Sequence, residues 1–270
     1  MNPEIIETVR HALAEDIGSG DVTSTACVDA TRQAAGRFIA RQTMVLAGVE
    51  LLPIIFESDN MRLFRKSGDC AADGDVIAEL RGPARLLLAR ERVALNFLQR
   101  LSGVATLARR YVDAVAGTRC KVLDTRKTTP GLRELEKMAA AAGGVTNHRM
   151  GLYDAVLIKN NHIVMAGGVT EAIRRARSAE LPIEVEVRSR PEVEEALAEG
   201  VARILLDNMS PAQVAEEVRF IAGRAQVELS GGITLETARA YAETGADFLS
   251  AGAITHSATA VDINLRIEAL

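Results

Sequence analysis

From Cys120 onward, short apolar runs alternate with longer helix-compatible stretches. The runs are Lys121–Leu123, Ala155–Ile158, Ile183–Val187, Arg203–Leu206, Gln226–Leu229 and Phe248–Leu249. Between them lie Leu132–Ala142, Val169–Ala179, Pro191–Ala198, Pro211–Ala222 and Leu235–Thr244, with apolar residues at helical spacing. A strand–helix unit repeated about six times predicts parallel strands joined by right-handed crossovers. Short, uniform units point to a closed or nearly closed α/β barrel, with fewer strands than the usual eight.

The first part of the chain has another texture. Pro3 to about Ala14 predicts a short amphipathic helix, and Glu15–Asp21 a polar loop. Strand-like pieces follow at Arg37–Ala40, Met44–Ala47, Arg62–Arg65 and Val76–Leu80, separated by turns such as Asp73-Gly74-Asp75. These predict a small α+β unit. Val93, Phe97, Leu101, Val104, Ala108, Tyr111 and Val115 then predict a long helix connecting two domains, with Gly103 as the point where it kinks or divides.

Composition narrows the function classes. The chain has 270 residues, 48% hydrophobic and 25% charged, as in a soluble globular protein. A net charge of −4, no Trp and 3% aromatics disfavour nucleic-acid binding. Leu86–Leu101 is interrupted by Arg90, Glu91, Arg92 and Arg100, so no membrane segment is expected. Glu4 and Glu7 stand where a signal peptide needs a basic then apolar stretch. Cys27, Cys70 and Cys120 are too scattered for a disulfide framework or a zinc site. The expectation is a reduced, cytoplasmic protein.

In a parallel barrel, chemistry gathers at the C-terminal ends of the strands. Arg126, Lys127 and Lys159 end neighbouring strands, and His148-Arg149 lies in the loop between. Any one of these could be a solvated loop cation. Converging on one mouth, they repel each other unless an anion sits among them, and arginine suits carboxylate or phosphate. Glu186 and Asp207 end consecutive strands, about 4.8 Å apart, so close carboxylates are expected, suited to a cation or sugar hydroxyls. Ser230-Gly231-Gly232 and Gly252 end the last two strands, where small residues let backbone N–H groups reach a phosphate, with His256 nearby as a further donor. A glycine after a strand by itself signals only a turn. Together the residues read as an anion clamp, a metal or ribose pair and a phosphate cradle.

Asp124–Arg133, Asn147–Leu152, Leu157–His162, Glu184–Val187, Leu206–Met209 and Leu229–Ile233 occur in the order and spacing of the quinolinate phosphoribosyltransferase family. Glu15–Thr23 and Glu91–Asn96 resemble it too, so the similarity runs from residue 15 to about 265. The resemblance implies an N-terminal α+β open sandwich, residues 1–103, completed by 257–270, and an incomplete parallel α/β barrel, residues 104–256. It implies condensation of quinolinate with phosphoribosyl pyrophosphate, using Mg²⁺, to nicotinate mononucleotide, pyrophosphate and CO₂, in de novo NAD biosynthesis. The expected assembly is a homodimer with shared active sites, or a hexamer. By matching positions, quinolinate falls to Arg126, Lys127, His148, Arg149 and Lys159, with Thr125 nearby and Arg92 donated across the dimer. Glu186 and Asp207 fall to the ribose and Mg²⁺, and Ser230, Gly231, Gly252 and His256 to the 5′-phosphate. Lys127, Lys159, Glu186 and Asp207 are the expected catalytic residues, acting by positioning and electrostatics.

Two positions depart from the family pattern. Asn160 stands where an acidic residue is usual and should remove a charge beside Lys159, and Val145 replaces a glycine and should stiffen its loop. Three other readings stand beside this one. A homologue encoded with molybdate transporters shares the fold, a Schiff-base aldolase would use Lys159, and a non-catalytic sensor would bind pyridine carboxylates without turnover. The complete cation set and the presence of Glu186 and Asp207 favour the transferase.

Overall fold

The structure is a computed structural model and describes residues 2–58 and 61–270. In chain order the strands are β1 (Gln33–Ala40), β2 (Met44–Val45), β3 (Met61–Leu63), β4 (Cys70–Ala71), β5 (Val76–Pro83), β6 (Lys121–Leu123), β7 (Val156–Ile158), β8 (Ile183–Val187), β9 (Arg203–Asp207), β10 (Gln226–Ser230), β11 (Phe248–Ser250) and β12 (Ile263–Ala269). The α-helices are α1 (Pro3–Ile17), α2 (Val22–Cys27), α3 (Leu52–Phe56), α4 (Ala84–Ala114), α5 (Arg133–Ala142), α6 (Asn160–Ala166), α7 (Val169–Ala176), α8 (Arg190–Ala198), α9 (Pro211–Ile221), α10 (Leu235–Ala242) and α11 (Ala253–His256).

The chain forms two units: Met1–Arg109 with Thr128–Gly144 and Thr255–Leu270, and Arg110–Lys127 with Val145–Ile254. The sequence suggests residues 1–103 with 257–270 against 104–256; the division interleaves further, because residues 128–144 also join the first unit. The reason is local. In α5, Glu136 accepts from Arg100 and from the Thr129 backbone N–H, and Arg109 Nε donates to the Gly143 carbonyl at 2.9 Å. These bonds hold residues 128–144 in the first unit.

The first unit is built on an antiparallel sheet of order β12-β1-β5-β3, with β2 and β4 paired separately. The last strand pairs with β1 from Ala34↔Ala269 to Ala40↔Ile263, so the C-terminal segment is part of this sheet. Helix α1 begins at Pro3 and runs three residues beyond its expected end, to a turn at Gly18, whose φ is 52°. The polar loop then yields α2, where Asp21 accepts from the Ser24 N–H as an N-cap.

Helix α4 runs unbroken for 31 residues, so Gly103 neither kinks nor divides it. The glycine is there for closeness: a Cβ on Gly103 would stand 2.2 Å from the Thr259 carbonyl oxygen.

The second unit carries six parallel strands in the order β6-β11-β10-β9-β8-β7. Only an isolated bridge, Leu123↔Thr146, continues the pattern beyond β6. This is the incomplete barrel that the sequence rhythm predicts. Strand alternation is sharp: Val185, Val187, Ile204, Leu206, Val227 and Leu229 are buried on one face. The other face carries Glu184, Glu186, Arg203, Asp207, Glu228 and Ser230.

Candidate functional site

The cations come from three places in the second unit. Thr125, Arg126 and Lys127 follow β6, His148 and Arg149 follow the bridge at Thr146, and Lys159 follows β7. Buried Asp124, the residue after β6, fixes the second of these. It accepts from the His148 backbone N–H at 2.8 Å and from Asn147 Nδ2 at 2.5 Å. Asp154 closes the same loop by accepting from the Gly151 N–H at 3.0 Å and the Met150 N–H at 2.5 Å. The Arg149 guanidinium donates to the Ala155 carbonyl at 3.1 Å. Its pKa is lowered, first by burial and then by the positive charge of Arg126. Two half-buried guanidinium groups therefore stand within electrostatic reach of each other.

Not all the expected repulsion survives. Lys159 Nζ lies 3.7 Å from Glu186 Oε2, so this cation has a carboxylate partner. His162 Nδ1 accepts from the Lys159 backbone N–H at 2.8 Å, setting the residue at the start of α6. The backbone N–H of Asn160 donates to the same Glu186 carboxylate at 3.4 Å. Val145 is a core residue, 5% exposed.

His148 is turned inward. Its Nε2 lies 3.1 Å from Glu184 Oε2 and 3.5 Å from Glu228 Oε2, and its Nδ1 accepts from the Arg149 N–H at 2.7 Å. Burial lowers the imidazole's pKa, while the carboxylates of Glu184 and Glu228 raise it. The Arg149 N–H opposes that rise, because only an unprotonated Nδ1 can accept it.

Beneath lies Arg203, whose Nη1 is 3.2 Å from Glu228 Oε2, with its guanidinium 4.3 Å over the Phe248 ring. Burial raises the Glu184 pKa; at Glu228, burial acts in the same direction, but His148 and Arg203 hold the pKa down. Oε1 of each carboxylate finds no hydrogen-bond partner among the described residues. An unsatisfied buried acceptor costs roughly 1–3 kcal/mol. The pair is thus a cost to the fold. Strand alternation could have exposed it: Glu184 and Glu186, Arg203 and Asp207, and Glu228 and Ser230 are two, four and two positions apart, so the members of each pair share a face.

Glu186 and Asp207 stand differently from the sequence expectation. Glu186 pairs with Leu205, and Asp207 pairs with Ser230 on the next strand. The two carboxylates are staggered by two residues, at about 3.3 Å per residue, so they are diagonal rather than side by side. Asp207 Oδ1 accepts from Ser230 Oγ at 2.8 Å, and Oδ2 from Asn208 Nδ2 at 2.7 Å. After β10 the chain turns sharply at Gly231, with φ at 97°, where a Cβ would meet Asn208 Oδ1 at 2.2 Å. Ser230, Gly231 and Gly252 are half-buried at neighbouring strand ends.

Two expected site residues belong to the first unit. Arg92 is exposed on α4. His256 ends α11, with Nδ1 2.7 Å from Ser257 Oγ.

The family description "quinolinate phosphoribosyl transferase, C-terminal domain" matches residues 104–266, and its N-terminal counterpart matches residues 21–102. A carboxylating nicotinate-nucleotide pyrophosphorylase of Mycobacterium leprae is 44% identical over 96% of this chain and 95% of its own length. The chloroplastic enzyme of that name from Arabidopsis thaliana is 41% identical over 96% of this chain and 82% of its own length. The crystal structure of nicotinate-nucleotide pyrophosphorylase from Ehrlichia chaffeensis superposes with a TM-score of 0.95 at 37% identity, covering 99% of this chain and all of that one.

Proposed function

The chain belongs to the quinolinate phosphoribosyltransferase family, and we propose that its barrel mouth joins quinolinate to phosphoribosyl pyrophosphate. The products are nicotinate mononucleotide, pyrophosphate and CO₂, a step of NAD biosynthesis. The observation that carries the reading is the placing of Arg126, Lys127, Arg149 and Lys159 on the segments that follow β6, the bridge at Thr146 and β7, a set of cations suited to a dicarboxylate. Thr125 extends the same pocket.

The chemistry asks little of the side chains beyond placement. The pyridine nitrogen attacks the anomeric carbon as the bond to pyrophosphate breaks, through an oxocarbenium-like state. Glu186 and Asp207 face the ribose, where carboxylates stabilise developing positive charge and accept from the hydroxyls. The ring's carbon–carboxylate bond then breaks, CO₂ leaves, and the electron pair left on the ring takes up a proton. Positioning supplies most of the acceleration.

Mg²⁺ fits this donor set. It is held by one or two carboxylates together with substrate phosphates and water, so the half-buried, diagonal Glu186 and Asp207 suffice without a closed cage. The chemistry such an ion supplies is neutralisation of the leaving pyrophosphate. Ser230, Gly231 and Gly252, at neighbouring strand ends of the second unit, are the candidates for the 5′-phosphate. The Gly231 turn brings backbone close to that position.

A homodimer with shared sites, or a hexamer of such chains, is supported by two features. Arg92 is exposed on α4, and the second unit exposes Leu152, Tyr153, Val164 and Met165, at 63–83% of their full accessibility. Large apolar side chains so exposed suit an interface between copies. No helix among the described residues is long and apolar enough to cross a membrane. Free thiols at Cys27, Cys70 and Cys120 suit the reducing cytoplasm.

Calorimetric titration with quinolinate tests the pocket. Arg126→Gln and Arg149→Gln should each weaken binding at least tenfold, and nicotinate, with one carboxylate, should bind more weakly than quinolinate. Unchanged affinity in both variants would overturn the assignment.

A further inference from the structure

The family mapping makes His148 a ligand of quinolinate, yet both its ring nitrogens are turned into the protein. Nε2 faces Glu184 and Glu228 across 3.1 and 3.5 Å, and Nδ1 receives the Arg149 N–H. The side chain retains 11% exposure, whereas Glu228 retains 1%. Arg203 holds Glu228 from below at 3.2 Å, and Phe248 supports Arg203. The elements involved are strands β8, β9, β10 and β11, which lie consecutively in the sheet.

A neutral imidazole has one donor and one acceptor. With Nε2–H directed at carboxylates that can only accept when ionised, Nδ1 is left as the acceptor, and the Arg149 N–H fills it. The tautomer is thus fixed by Glu184 at 3.1 Å, with Glu228 behind it at 3.5 Å, and the Arg149 backbone is fixed by the tautomer. Arg149 then has its main chain tied to His148 and its guanidinium to the Ala155 carbonyl, two anchors that set its direction.

We infer that Glu184 and Glu228 are positioning residues that act through His148 to aim Arg149, the imidazole serving as the strut between them. The inference rests on the quinolinate reading for what Arg149 binds. The strut itself does not depend on that reading.

Two measurements separate them. In the wild-type protein, labelled with ¹⁵N-histidine, the His148 signal, assigned by its loss in His148→Asn, should show a protonated Nε2 and a bare Nδ1 at pH 7. A protonated Nδ1 overturns the strut, whatever the enzyme turns over. In steady-state assays, Glu228→Ala should raise the quinolinate KM about tenfold or more while the KM for phosphoribosyl pyrophosphate changes less than twofold. Glu228→Gln keeps an acceptor oxygen and should recover most of the loss. A general structural role would move both KM values together, and that result, or no change in either, would overturn the inference. Wild-type protein that releases no pyrophosphate with quinolinate would sink the functional reading alone, and the imidazole signal would still decide the strut.

Discussion

Arg100 donates twice to one oxygen of Glu136, from Nε at 3.1 Å and Nη2 at 2.7 Å, and Glu136 has no exposed side-chain surface. Thr129 completes the carboxylate with its N–H at 3.0 Å and its hydroxyl at 2.8 Å. Arg100 also donates to the carbonyls of Thr255 and Ala258, on either side of His256. One buried ion pair thus ties the loop after Lys127 and the turn of His256 to helix α4. Glu136→Ala removes the carboxylate that Arg100 and Thr129 share and should cost about 3 kcal/mol, the lower end of the range for breaking a buried pair, because Arg100 keeps its two carbonyl partners. The urea midpoint should fall with an unchanged slope. A shift of only a few tenths of a kcal/mol would contradict the hub.

Gly103 sits inside a helix, where alanine normally gains up to about 1 kcal/mol over glycine. Here the added Cβ would meet the Thr259 carbonyl oxygen at 2.2 Å, and backbone cannot move aside cheaply. Gly103→Ala should therefore destabilise by about 1–3 kcal/mol, the usual cost of overpacking. A raised melting temperature would show that the close approach of α4 to the segment before β12 is wrong.

The three thiols should separate by burial. Cys27 and Cys70 are exposed, while Cys120 is buried and its pKa is pushed up to about 12, by burial first and Asp247 next. Its thiolate population rises only as pH approaches that value, so it stays inert where alkylation depends on the thiolate. Native protein at pH 8 should react at two thiols with a maleimide, and denatured protein at three. Rapid labelling of all three in the native state would contradict the packing of Cys120 before β6.

If sites are shared between subunits, Arg92→Ala and Arg126→Ala are each inactive alone. Mixing them should restore up to about a quarter of wild-type activity to the mixture, since about half the dimers are mixed and each of those has one intact site of two. No recovery in verified mixed dimers would exclude the shared site.

The barrel was legible because its strands bury valine, isoleucine and leucine on one face and end in polar residues. Val185, Ile204 and Leu229 announce strands as plainly as Glu186 and Asp207 announce their ends. The register was not legible. Nothing local says that Glu186 lies beside Leu205, so the diagonal offset from Asp207 emerges only in the folded sheet. Helix α6 has no signal of its own in Asn160-Asn161-His162, because its start depends on His162 accepting from the Lys159 N–H. Residues 128–144 looked like barrel sequence until Glu136 found Arg100, a partner 36 positions away. The inward turn of His148 likewise depends on Glu184 and Glu228, which are distant in sequence and adjacent only once β8 to β10 are paired.

Quinolinate-dependent release of pyrophosphate from phosphoribosyl pyrophosphate, with Mg²⁺ present and nicotinate as the comparison, tests the central claim most directly. The account predicts turnover with quinolinate, accompanied by one CO₂ per pyrophosphate, and no comparable turnover with nicotinate. Equal turnover with nicotinate would contradict the two-carboxylate pocket built on Arg126 and Arg149. Silence with both substrates would contradict the activity itself.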